Sequence, residues 1–204
     1  MTEPKKTYSY LALGDSYTIG QSVLSSENFP NQTVQLLNQQ NYNFKSPEIL
    51  ATTGWTTDEL QNNINSHTFT PPYDFVSLLI GVNNQYRGRS VENYKPEFES
   101  LLKQAIQFAG GNANRVIVIS IPDWGVTPFA NGRDRAQIAK EIDDYNAANK
   151  YISVIYKVNY VDITSGSREA ATDLSLVAGD GLHPSAKEYA KWAQKVFAAI
   201  KQQL

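Results

Sequence analysis

Apolar runs of strand character alternate with segments of helical periodicity along almost the whole chain. The runs YSYLALG (8–14), EILATTG (48–54), YDFVSLLIG (73–81), RVIVISIP (115–122) and NYVDIT (159–164) are rich in Val, Ile, Leu and Tyr. Between them lie PNQTVQLLNQQN, TTDELQNNINS, SVENYKPEFESLLKQAIQFAG and RDRAQIAKEIDDYNAANKYISVIYK, and PSAKEYAKWAQKVFAAIKQQL closes the chain. Each of these five carries apolar residues near a period of 3.6. Strands that are apolar on both faces need cover on both faces, and helices that alternate with them supply it. The pattern predicts an α/β fold: a three-layer α/β/α sandwich around a doubly wound, five-stranded parallel sheet. With 204 residues, 41% of them hydrophobic, and neither linker nor internal repeat, the expectation is a single domain over 1–204.

In a sheet of this kind ligands sit beyond the carboxyl ends of the strands. That rule selects Gly14-Asp15-Ser16, Thr53-Gly54-Trp55, Gly81-Val82-Asn83-Asn84 and the irregular stretch PDWGVTPFANGRD (122–134). Ser16 is either a helix N-cap or a nucleophile, and a nucleophilic serine needs a base. The chain has two histidines. His67, in NSHTF, reads as a surface residue at a helix end. His183, in GDGLHPS, follows Asp180 by three residues and precedes Pro184, which is expected at the first position of the last helix. At that spacing a carboxylate can fold back onto the imidazole, fix its tautomer and stabilise the imidazolium. Ser16, His183 and Asp180 are therefore expected as nucleophile, base and orienting acid. The oxyanion would be met by the N–H groups of Ser16 and Gly54 and by the side-chain amide of Asn83. Trp55, Tyr86, Trp124 and Phe129 fall in the same strand-end loops and are expected to form a substrate-binding surface. Asp15 is as well suited to satisfying the backbone N–H groups of its own turn as to chemistry, and it is left out of the catalytic set.

These four blocks, GDSY, the isolated glycine of TTGWTT, GVNN and DGLHP, resemble in order and spacing those of the SGNH (GDSL-type) hydrolases, from residue 14 to residue 184. The resemblance implies a flavodoxin-like fold, the set Ser16, Gly54, Asn83 and His183 with Asp180 completing the triad, and ester hydrolysis without a cofactor. One position departs from the family pattern: Asn84 stands where an acid is common. The expectation is that this position supports loop structure and that the change is neutral.

The expected activity is hydrolysis of carboxylic esters by a serine esterase, with short acyl groups on a small-molecule or carbohydrate alcohol. The alternatives are a lysophospholipase or thioesterase for longer acyl chains, and a catalytically silent domain that binds a glycan or small molecule. A net charge of −2, a pI near 5.7 and no basic run beyond Lys5-Lys6 argue against a nucleic-acid partner. Without cysteine there is neither disulfide nor thiolate ligand, and no GxxxxGK[ST] loop is present to cradle a nucleotide. Two distant histidines without an acidic cluster predict no metal site. No stretch is apolar enough to insert stably in a membrane, and MTEPKKTYSY lacks the apolar core of a leader. As written the chain is expected to be cytoplasmic and monomeric, and one trimmed of a secretory leader would read the same.

Overall fold

The structure, a computed structural model, describes residues 6–204. Five parallel strands, β1 (Tyr10–Asp15), β2 (Glu48–Thr52), β3 (Phe75–Leu79), β4 (Val116–Ile119) and β5 (Asn159–Val161), form one sheet in the order β2-β1-β3-β4-β5. All residues of β1, β3 and β4 are buried, as continuous apolar runs require, while the edge strand β2 is half-buried. The strands are shorter than the apolar runs because residues at one or both ends of each run leave the sheet.

The five long periodic segments are helices: α2 (Phe29–Gln39), α3 (Thr57–Ser66), α5 (Val91–Phe108), α6 (Arg135–Ile155) and α8 (Ala186–Lys201). Helices α2 and α8 pack on each other on one side of the sheet, and α3, α5 and α6 form a second layer on the other. The three layers and the strand order are those of a doubly wound, flavodoxin-like sandwich. Three short helices have no counterpart in the periodicity: α1 (Ser16–Ile19), α4 (Val82–Tyr86) and α7 (Thr164–Ser167). Four or five residues are too few to display a 3.6-residue period.

The 122–134 stretch is irregular, as expected, but not loose. It forms two tight turns, Trp124–Val126 and Pro128–Ala130, and the first is pinned by Asp123, whose carboxylate accepts from Gly125 N–H and pairs with Arg168 at 2.9 Å. Pro184 does not open the last helix. Ser185 is the N-cap of α8, and Pro184 instead forms an antiparallel bridge with Val177 that closes the preceding loop. His67 does lie at a helix end, as the C-cap of α3, and its Nε2 meets Glu48 of β2 at 3.0 Å.

Candidate active site

The sheet order puts β1 between β2 and β3, so the residues that follow these three strands stand side by side at one edge. The order reverses direction between β1 and β3, and crevices in open α/β sheets form at such a switch point. Ser16 leaves β1 there as the first residue of α1. The cap of that helix is Asp15, whose carboxylate accepts from Tyr17 N–H at 3.0 Å. Ser16 is therefore not the cap, and its hydroxyl is free for another partner. The helix folds back tightly on its own strand: a Cβ on Gly14 would lie 2.0 Å from Thr18 Oγ1 and 2.5 Å from the Leu79 carbonyl oxygen. Only glycine permits so abrupt a strand-to-helix turn.

The hydroxyl of Ser16 lies 2.9 Å from Nε2 of His183, and Nδ1 of that ring lies 2.6 Å from Oδ2 of Asp180. With Nδ1–H donating to the carboxylate, Nε2 is left as the acceptor for Ser16. The imidazole is buried and rests on the ring of Tyr17, 5.0 Å between centroids, behind which Trp192 of α8 is stacked. Its backbone is held as well: Ala178 N–H donates to the His183 carbonyl at 2.7 Å, and Gly181 makes the turn at φ +73. Asp180 accepts four hydrogen bonds. Leu182 and His183 N–H reach Oδ1 at 2.9 and 3.0 Å, while Ser22 and His183 reach Oδ2. Partial burial pushes this carboxyl up, but the donors from Ser22, His183 and the two amides outweigh burial and hold its pKa at about 2.

Gly54 follows β2 in the left-handed region, φ +85, where a side chain would be strained. Its carbonyl accepts from Arg87 at 2.6 Å, and its N–H has no acceptor among the described residues. Asn83, on α4 after β3, places Nδ2 3.0 Å from the Trp55 carbonyl and 3.3 Å from Oδ2 of Asp15. One amide hydrogen is thus held firmly and the other loosely. Asp15 performs the turn duty and also contacts Asn83. It is completely buried, and burial raises its pKa to about 7 against the hydrogen bonds from Tyr17 and Asn83.

Asn84 is buried and structural. Its Oδ1 accepts from Thr57 N–H at 3.0 Å and its Nδ2 donates to Thr57 Oγ1 at 2.6 Å, which ties α4 to the start of α3. The position supports loop structure, as expected; an acid there would keep the acceptor for Thr57 N–H and lose the donor to Thr57 Oγ1.

A cleft of about 130 Å³ opens over Ser16 and His183. Tyr86, Trp124 and Phe129 form one wall, with Tyr17, Val82, Asn83 and Leu182 completing it. Arg133 lies over the three wall aromatics, 5.3 to 5.9 Å from their ring centroids. Trp55 does not line this cleft; it packs against the core and contributes only its carbonyl, to Asn83. Tyr17, Val82 and Leu182 were not singled out in the sequence, although each neighbours a residue that was. Among the described residues no set of three or more His, Asp or Glu side chains could hold a metal ion, and no helix is long and apolar enough to cross a membrane.

The sequence profile of the GDSL-like Lipase/Acylhydrolase family matches residues 12–191. No curated protein matches the sequence. Solved structures resemble the whole chain at low identity. TesA is 16% identical with a TM-score of 0.75, covering 98% of this chain and 100% of its own. The acetylxylan esterase Axe2 from Geobacillus stearothermophilus is 18% identical with a TM-score of 0.75, covering 98% and 96%. The psychrotrophic esterase EstA from Pseudoalteromonas sp., in a structure inhibited by monoethylphosphonate, is 15% identical with a TM-score of 0.72, covering 96% and 97%. At these identities the likeness is one of fold.

Proposed function

The chain belongs to the GDSL-like lipase/acylhydrolase family of carboxylic ester hydrolases, and on that premise we propose that it cleaves esters of short acyl groups with Ser16 as nucleophile. The observation that carries this reading is the unbroken line from Ser16 Oγ through His183 to Asp180, at 2.9 and 2.6 Å, on the floor of an open cleft. As Ser16 Oγ attacks the ester carbonyl, His183 Nε2 takes its proton and Asp180 steadies the imidazolium. The carbonyl oxygen, now negative, is met by the N–H groups of Ser16 and Gly54 and by Asn83. The loosely held hydrogen of Asn83, 3.3 Å from Asp15, is the one that turns to it. His183 then protonates the departing alcohol. A water molecule, deprotonated by the same nitrogen, attacks the acyl-enzyme and releases the acid and free Ser16.

The cleft over Ser16 is about 130 Å³, and its aliphatic lining is Val82 and Leu182, which supports a short acyl group. The wall of Tyr86, Trp124 and Phe129 with Arg133 is aromatic and partly polar, which suits a soluble alcohol or a sugar ring better than a lipid chain. The fold is shared with an acetylxylan esterase, which supports a carbohydrate ester as one substrate class.

Two experiments test the reading. A fluorophosphonate should label Ser16 in the wild type and not in Ser16→Ala; an unlabelled wild type would leave only a silent binding domain. Across p-nitrophenyl esters from acetate to palmitate, kcat/KM should peak by butyrate. A steady rise beyond about eight acyl carbons, at about 0.8 kcal/mol for each buried CH₂, would replace the short-chain reading with a lysophospholipase.

A further inference from the structure

We propose that Ser22 is a positioning residue for the acid of the triad, its hydroxyl holding the oxygen of Asp180 that faces His183. This rests on the ester-hydrolase reading above. Ser22 Oγ donates to Asp180 Oδ2 at 2.7 Å, across 158 residues of sequence, and that same oxygen takes the Nδ1–H of His183 at 2.6 Å. The other carboxylate oxygen is held by two backbone N–H groups, while Oδ2 takes its hydrogen bonds from Ser22 and His183.

The backbone at this position points the same way. Ser22 has φ +69, in the left-handed region, in the loop between Gly20 at the end of α1 and the turn Ser25–Glu27. Glycine or asparagine would occupy that conformation with less strain. A serine there is accounted for by its hydroxyl, whose partner in the structure is Asp180. The neighbouring Gln21 accepts from Thr53 Oγ1 at 2.6 Å, one residue before Gly54. The loop that leaves the nucleophile therefore braces both the acid and the β2 end of the oxyanion site. With two donors on Oδ2, the carboxylate charge is shared. Without Ser22 that oxygen is less restrained, and more of the carboxylate charge falls on the imidazole.

The test compares Ser22→Ala with Ser22→Gly. Both remove the hydroxyl, but alanine keeps the left-handed strain and glycine relieves it. In both variants kcat should fall by about three- to tenfold, the loss of one hydrogen bond, with KM within about twofold. The acid limb of the kcat–pH profile should move up by a few tenths of a pH unit, because the imidazolium gains the charge that Ser22 had shared. Tyr17 of α1 also faces the ring, and Asp123 and Glu188 line the small cavity behind it. All three stay in both variants, so the difference between profiles reports the hydroxyl. A glycine variant that matches wild type while alanine is impaired would reduce Ser22 to a backbone effect and overturn the proposal. Unchanged kcat and pH profile in both would also overturn it, as would an effect confined to KM. Wild-type hydrolysis and fluorophosphonate labelling are measured alongside. Their absence removes the ester-hydrolase reading and this one with it, whereas an active, labelled wild type with unaltered variants removes the Ser22 assignment alone.

Discussion

Replacing Asp15 by Asn should change the sign of its effect on stability between acid and alkaline pH. The carboxyl is completely buried beside Ser16, and burial raises its pKa from 3.8 to about 7. The folded state therefore holds that proton more tightly than the unfolded chain, and wild-type stability falls as pH rises from about 4 to about 7. At about 1.4 kcal/mol per pH unit of difference, full ionisation costs the wild type at most about 4 kcal/mol. Asparagine never ionises and escapes that cost. It brings a cost of its own, because the two Asp15 oxygens accept from Tyr17 N–H and Asn83 Nδ2. However the new amide is turned, one of those donors meets an N–H group, a loss of roughly 1–3 kcal/mol. Asp15→Asn should thus be destabilised by about 1–3 kcal/mol at pH 4.5, and at pH 8 stabilised by up to a similar amount. Urea midpoints at the two pH values, converted with the fitted slopes, measure this directly. At pH 8 the variant should also lose roughly tenfold in kcat on p-nitrophenyl acetate, because Asn83 is no longer aligned by the carboxylate. If the two differences from wild type agree within about 1 kcal/mol across this range, Asp15 does not ionise near 7 and the reasoning fails.

Ser16→Ala and His183→Ala should each lower kcat by about a thousandfold or more, and the double variant should be little worse than either, since triad members act as a unit; additive losses in steady-state assays would argue against one shared mechanism. Asn83→Ala should cost about a hundred- to a thousandfold in kcat with little change in KM, because the amide meets charge that appears mainly in the transition state, and a pure KM effect would make it a substrate-binding residue. Asn84→Asp should lower stability by about 1–3 kcal/mol at neutral pH, since it buries a charge and replaces the donor to Thr57 Oγ1 with a second acceptor; a thermal midpoint equal to wild type would refute this.

The architecture was written in the sequence because it depends on patterns that are local. Buried parallel strands must be apolar along their whole length, and the helices that cover them must be apolar on one stripe, so LALG, FVSLLIG and VIVIS announced their places without reference to one another. The strand-end rule then singled out Ser16, Gly54 and Asn83, and the Asp180-x-x-His183 spacing is short enough to be read as a contact. The short helices α1 and α4, which carry Ser16 and Asn83, were not legible, because a single turn has no period and forms only where the sheet edge holds it. Pro184 was misplaced for a related reason: its fixed φ suits a first helical turn and a bridge equally, and the pairing with Val177 decided between them. What only the tertiary structure decided are relations across long gaps. Asp15, not Ser16, caps α1, which leaves the hydroxyl for a histidine 167 positions away. Trp55 turned inward, while Tyr86, Trp124 and Phe129 met in one wall under Arg133. Ser22 reached Asp180 across 158 residues. Side-chain direction in a loop is set by whatever packs against it, and those partners come from distant strands, so no local pattern records them.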